Sequence, residues 1–151
     1  MFCNVIWHQL SPDRKYGGIT TADNVELNSI FTWMKHLVTS KAFIQILPFS
    51  RVFYHAGVSR QEIWIDNSPP LGIIHENASV FTEPGEVVVG PQKPSRTKTA
   101  NCLGIYYGNG KGLDACNIFA KVAETDIQKL IELGDNLRKI GSRELAFSLL
   151  D

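Results

Sequence analysis

The chain has 151 residues, 44% hydrophobic and 20% charged, and its 15 Lys and Arg against 15 Asp and Glu leave no formal net charge. That length and apolar content suffice for an ordinary core without disulfide or metal staples. The missing basic excess excludes a general nucleic-acid binder and a charge-held membrane-surface protein. No apolar run approaches the roughly 18 residues of a spanning helix, and the N-terminus lacks a basic region followed by an apolar core, so the expected location is the cytoplasm.

In chain order, the opening FCNVIWH alternates as a strand does, and 11–21, with Pro, Asp and paired glycines, reads as a mobile connection. Asp23 followed by Glu26 fits a capping box. Leu27, Ile30, Phe31, Met34, Leu37 and Val38 then follow the spacing of an amphipathic helix over 24–40. The runs AFIQILPF, VFYHAGV, QEIWIDN, LGIIHE, SVFTE and EVVVG are short, branched or aromatic, and separated by turn residues. They predict antiparallel strands, because such short connections cannot carry parallel crossovers. CLGIYY and DACNIFAKV flank GNGKGL as a hairpin. Thr125 with Gln128 caps a second helix whose Ile127, Leu130, Ile131, Leu137 and Ile140 form one stripe, ended by Gly141, and a short helix over 142–150 docks behind it. The expected fold is a single α+β domain over 1–151: a mostly antiparallel β-sheet with an N-terminal helix and C-terminal helices packed on it.

Charge is unevenly distributed along this frame. Glu62, Asp66, Glu76, Glu83 and Glu86 occupy 61–92 without a Lys or Arg, and Lys93, Arg96, Lys98 and Lys111 follow before the next acid, Asp114. The basic segment is interleaved with Ser95, Thr97 and Thr99 and followed by Tyr106 and Tyr107, which point to opposite faces of a strand. Charge-assisted hydrogen bonds of about 1.5–3 kcal/mol each would let such groups secure a small anion. The expected ligand site is therefore Lys93, Arg96, Lys98, Tyr107 and Lys111 with help from Arg51 or Arg60, and the expected ligand is a nucleotide or phosphorylated metabolite. GNGKG lacks the spacing and terminal hydroxyl of a phosphate-binding GxxxxGK[ST] loop and supports a turn.

His8, His36, His55 and His75 are dispersed without HxH or HExxH spacing, so neither a metal nor any other cofactor is expected. Cys3, Cys102 and Cys116 are an odd set without CxxC and are expected to be reduced, although a three-residue hairpin loop would put Cys102 opposite Cys116. Blocks of opposite charge, with Gly134 on the apolar helix stripe, lead us to expect a homo-oligomer. No nucleophile motif marks an enzyme, so binding without catalysis is the first reading. The alternatives are a protein-interaction module, such as an inhibitor, immunity or viral accessory protein, and a small phosphodiesterase or transferase acting on nucleotides through His55 and Glu62.

Overall fold

In the central strands apolar residues recur at every second position: Ile63 and Ile65, Val87 and Val89, Leu103 and Ile105 are all buried, and they belong to one core cluster with Phe31, Phe53 and Phe147. Period-two burial of this kind turns one face of each strand inward. The computed structural model describes residues 16–21, 24–34, 37–90 and 101–150. Its strands are β1 (Tyr16–Thr21), β2 (Asn24–Trp33), β3 (Phe49–Ala56), β4 (Glu62–Ile65), β5 (Ala78–Thr82), β6 (Glu86–Val89), β7 (Leu103–Tyr106), β8 (Gly110–Val122) and β9 (Ser142–Leu150). All pair antiparallel in the order β2-β1-β9-β3-β4-β7-β6-β8-β5. A further pairing, Phe31 with Val122 through Trp33 with Ala120, joins β2 to β8. Eight strands thereby close into a barrel, and β5 is added outside the ring on β8.

Among the described residues two helices cover the barrel. The first, α1 (Val38–Gln45), buries Thr39, Ser40, Phe43 and Ile44, and no side chain of its own caps its start. Glu76 does so from a distant loop: its carboxylate accepts hydrogen bonds from Val38 N at 2.9 Å, Thr39 N at 2.9 Å and Thr39 Oγ1 at 2.7 Å. Burial pushes this carboxyl up, but the bonds from Thr39 and Val38, with nearby Lys41, hold it below the usual carboxylate range. The second helix, α2 (Ile127–Ile140), follows a short turn at Glu124–Asp126 and buries Leu130, Leu133, Gly134 and Leu137.

The barrel overturns the α+β arrangement expected from sequence. Residues 24–33, read as the body of an N-terminal helix, are β2, and helix begins only at Val38. Pairing with both β1 and β8 outweighs the local capping pattern, and Phe31 and Trp33 enter the core two residues apart. The segment 142–150 is likewise a strand, with Leu145 and Phe147 inward and β1 and β3 on either side. Tyr16–Thr21 is a strand where a connection was expected, and the first half of AFIQILPF belongs to α1. Residues 71–75 of LGIIHE carry no regular structure. The expected 103–122 hairpin is also corrected, because β6 lies between β7 and β8. Helix α2 does end at Gly141, at φ 93°, although its N-cap is Asp126, whose side chain accepts from Ile30 N at 2.8 Å. The FCNVIWH strand lies outside the described residues.

Gly134 is filled from within the chain: a Cβ there would overlap the ring of Tyr107. Ala in a helix is ordinarily about 1 kcal/mol better than Gly, whereas overpacking a well-filled site costs about 1–3 kcal/mol. Gly134→Ala is therefore expected to lower stability by up to about 2 kcal/mol, read as a reduced urea midpoint at unchanged slope. A stabilised variant would show that the Tyr107 ring moves freely.

Candidate functional site

Outward-facing residues of the same strands form a second, smaller cluster of Val88, Cys102, Tyr106, Cys116 and Ile118, with Met34 and Trp64 against it. Beside it, on the barrel's outer face, is a cavity of about 300 Å³ whose wall includes His55, Val58, Ser59, Glu62, Trp64 and Tyr106. Four segments build it. The loop 57–61 joins β3 to β4, and Glu62 starts β4 opposite Tyr106 of β7. Trp64 lies opposite Gly104, and the early part of β8, from Gly112 to Cys116, closes the far side. Bare backbone is needed at Gly104, where a Cβ would overlap the Glu62 carboxylate, and at Gly110, where it would overlap the Tyr106 ring.

Glu62 is only 9% exposed. Ser59 Oγ donates to its Oε1 at 2.5 Å, and Tyr106 stands opposite it across the strand pair. Burial outweighs the hydrogen bonding that favours the charged form, and the carboxyl is pushed up to about 7. Burial and the Glu62 charge likewise hold the Tyr106 phenol above its usual range, so it stays a neutral donor. A carboxyl able to exist in either form near neutrality, lining a mostly apolar cavity, is a recurrent feature of working sites.

Cys102 and Cys116 share the cavity wall as free thiols, with their sulfurs in hydrogen-bond contact at 3.7 Å. Their proximity does not come from a hairpin. Val89 of β6 pairs with Leu103 on one side and Asn117 on the other, so both cysteines flank the end of β6. The hydrogen bond with Cys116 and burial, together with the Glu62 charge, keep the Cys102 thiol protonated well above its ordinary range. Unfolding the never-reduced protein in urea is expected to release three thiols, Cys3 included, to Ellman's reagent, whereas native Cys102 and Cys116 should react slowly. Recovery of a single thiol after unfolding would mean that the pair is oxidised.

The residues expected to bind a ligand are distributed unevenly. Arg60 and Lys111, both exposed, line a cleft of about 520 Å³ that shares Val58, Gly112 and Leu113 with the Glu62 cavity. Arg60 holds φ at 75°, a left-handed conformation that costs a non-glycine residue on the order of 1 kcal/mol or more. The Lys111 ammonium lies 5.6 Å from the centre of the Phe81 ring. Arg51 is elsewhere on β3, donating to Ser50 O at 2.8 Å with its guanidinium 5.7 Å from the centre of the Phe49 ring. Tyr107 is 2% exposed within the interior cluster, and its hydroxyl lies 2.6 Å from His55 Nε2. Lys93, Arg96 and Lys98 lie outside the described residues.

His55 therefore faces Tyr107 rather than Glu62. Burial and the Arg138 charge, against that of Asp135, leave it below the usual histidine range. The sequence places Glu62 in the acidic block and as a partner for His55, and Tyr106 only with the basic segment; it does not single out Ser59 or Gly104. The signal for the site is the alternation in EIWI, which puts Glu62 and Trp64 on one face. No group of three or more His, Cys, Asp or Glu placed to hold a metal ion occurs among the described residues. No described helix is long and apolar enough to cross a membrane.

Residues 22–149 match the model of a family described as "Protein of unknown function (DUF3830)". The chain belongs to this family. No curated protein matches it in sequence. Among solved structures, "Structure of McbB in complex with tryptophan" is similar with a TM-score of 0.68 and 15% identity. The similarity covers 88% of this chain and 44% of McbB, so the DUF3830 chain spans less than half of that protein's length. At such identity the likeness is one of fold.

Proposed function

We propose that this DUF3830 chain binds a small anionic molecule in the Glu62 cavity. The apolar part of the ligand lies against Trp64, Val58 and Leu113, its anionic group meets Arg60 and Lys111 in the adjoining cleft, and Glu62 receives a hydrogen-bond donor at the wall. The observation that carries this reading is the adjacency of the two spaces, which share Val58, Gly112 and Leu113 in their walls: one is about 300 Å³ and mostly apolar with a buried carboxyl, the other bears two cations. Their joint chemistry suits a molecule with an apolar body and a charged end. That McbB was solved with tryptophan, an aromatic carboxylate, supports a small-molecule role. Nucleotides and phosphorylated metabolites remain candidate anions, because Lys93, Arg96 and Lys98 precede the cavity wall at Cys102 in the chain.

A thermal-shift panel of nucleotides, phosphorylated metabolites, aromatic carboxylates and 2-oxo acids tests the reading. At a hundredfold excess over Kd, a ligand selective for the native state adds about 2.7 kcal/mol, which raises Tm by several degrees. Replacing Arg60 and Lys111 together by Ala is expected to remove that shift while leaving the unliganded Tm nearly unchanged, since exposed charges contribute little to folding. A panel without a single responder would overturn the proposal.

A further inference from the structure

The side chains around the cavity differ in what they are free to do. Ser59 directs its proton to Glu62 at 2.5 Å, and the His55 imidazole is turned to the Tyr107 hydroxyl at 2.6 Å. Cys102 interacts with Cys116 and is kept protonated. Asp114, the other carboxylate on the wall, accepts from Ala115 N at 2.9 Å, and the buried carboxyl of Glu62 is the group we assign to take a proton from a bound molecule and return it, with Tyr106 opposite it on β7. With Cys102 held protonated and Ser59 engaged by the carboxyl, the chemistry assigned to Glu62 is proton transfer. A carboxylate can remove a proton from carbon when a neighbouring carbonyl takes up the charge. An anionic end on the same molecule is what Arg60 and Lys111 would hold.

We propose that Glu62 moves a proton between the carbon next to the carbonyl and the carbonyl oxygen of a small 2-oxo carboxylic acid, interconverting its keto and enol forms. The inference rests on the binding reading above and extends it to a reaction. In the forward step the Glu62 carboxylate takes the proton from C3. The C–H electron pair becomes the C2–C3 double bond, and the carbonyl π pair moves onto the C2 oxygen. Tyr106 donates a hydrogen bond to that oxygen as its charge grows, the role of an oxyanion donor. Glu62 then delivers the same proton to the oxygen, giving the neutral enol group and restoring the carboxylate. Atoms and electrons balance without a further reactant.

Burial of Glu62 supports this role, because a carboxyl near 7 is populated in both forms at neutral pH. The titratable and hydroxyl groups that share the cavity wall with it are Ser59 of the β3–β4 loop, Tyr106 of β7, Cys102 before β7, Asp114 and Cys116 of β8 and His55 of β3, the last turned to Tyr107. Base-dependent exchange is expected to increase with pH through about 7 as the carboxylate forms.

The test follows loss of the C3 proton signal of phenylpyruvate and of 4-methyl-2-oxopentanoate in D2O by NMR, with saturation transfer reporting binding in the same samples. Wild-type protein is expected to accelerate exchange over buffer. Glu62→Gln should reduce the acceleration about 100-fold or more while the probe still binds. Glu62→Asp, which keeps the acid but withdraws it, should fall between the two. Arg60→Ala with Lys111→Ala should raise KM with little change in kcat, the mark of uniform binding. A bound probe that exchanges at the buffer rate overturns proton transfer and leaves the binding reading standing. Full activity in Glu62→Gln overturns the assignment to Glu62. If neither acid binds while another anion of the thermal-shift panel does, the 2-oxo acid class is wrong; if nothing in that panel binds, both readings fall.

Discussion

At pH 8 the Glu62→Gln variant is expected to be more stable than the wild-type protein by about 3 kcal/mol, whereas at pH 4 the two should unfold alike. The folded-state carboxyl is raised from 4.5 to about 7. Each unit of difference corresponds to about 1.4 kcal/mol. Between those two values the folded protein binds more protons than the unfolded chain, so stability falls as pH rises through the window. Below 4.5 the carboxyl is neutral in both states and Gln resembles it closely. Above 7 the wild type carries a buried charge that the amide does not. Urea unfolding at several pH values checks this, as does a Tm difference of roughly 6–12 °C at the alkaline end. A variant less stable than wild type at pH 8 would show that Ser59 and Tyr106 fully satisfy the charged form. A gain in stability on removing a buried acid would also mark Glu62 as a residue kept for something other than folding.

Phe147→Ala is expected to cost about 3–5 kcal/mol, the usual range for a fully buried phenylalanine. Phe147 is 0% exposed and joins several parts of the core: its ring centre lies 5.3 Å from that of Phe49, 5.5 Å from Phe53, 5.9 Å from Phe43 and 6.0 Å from Phe31. These partners come from β3, α1 and β2, so the cavity left by truncation would touch three elements that cannot all move in to fill it. Tyr54→Ala, on the same sheet at a side chain 52% exposed, should stay within about 0.5 kcal/mol and serves as the comparison. A Phe147→Ala loss below 1 kcal/mol in urea would mean that the aromatic cluster repacks.

Local sequence revealed the elements whose signals are themselves local. Helix α2 is legible because Leu130 and Leu137 recur on one helical face and Gly141 ends it with a positive φ. The middle strands are legible from Val, Ile and aromatic residues bounded by turn residues. Strands β2 and β9 are not, because each also satisfies a helical reading over a few residues: Ile30, Phe31 and Met34 in one, Leu145 and Leu149 in the other. What decides for strand is pairing with β1, β8 and β3, which no short window contains. The same holds for the site. Ser59 and Glu62 are neighbours in sequence, but Gly104 and Tyr106 reach them only through the register of β4 with β7. The emphasis on the basic segment as a whole came from charge counting, which says nothing of register and so could not separate Lys111 and Arg60 from Arg51.

Strand β9 lies between β1 and β3, the first and third strands of the described residues, and pairs along its length with both. On a ribosome, β1 and β3 emerge early and wait for more than ninety further residues before their shared neighbour is made. Contacts of such sequence separation are slow to form. Until they do, both strands expose unpaired edges, the condition that invites pairing with another chain. Chains stalled or cut between α2 and β9 should therefore accumulate as chaperone-bound or aggregated material rather than as a smaller folded protein, since no intermediate length closes the ring.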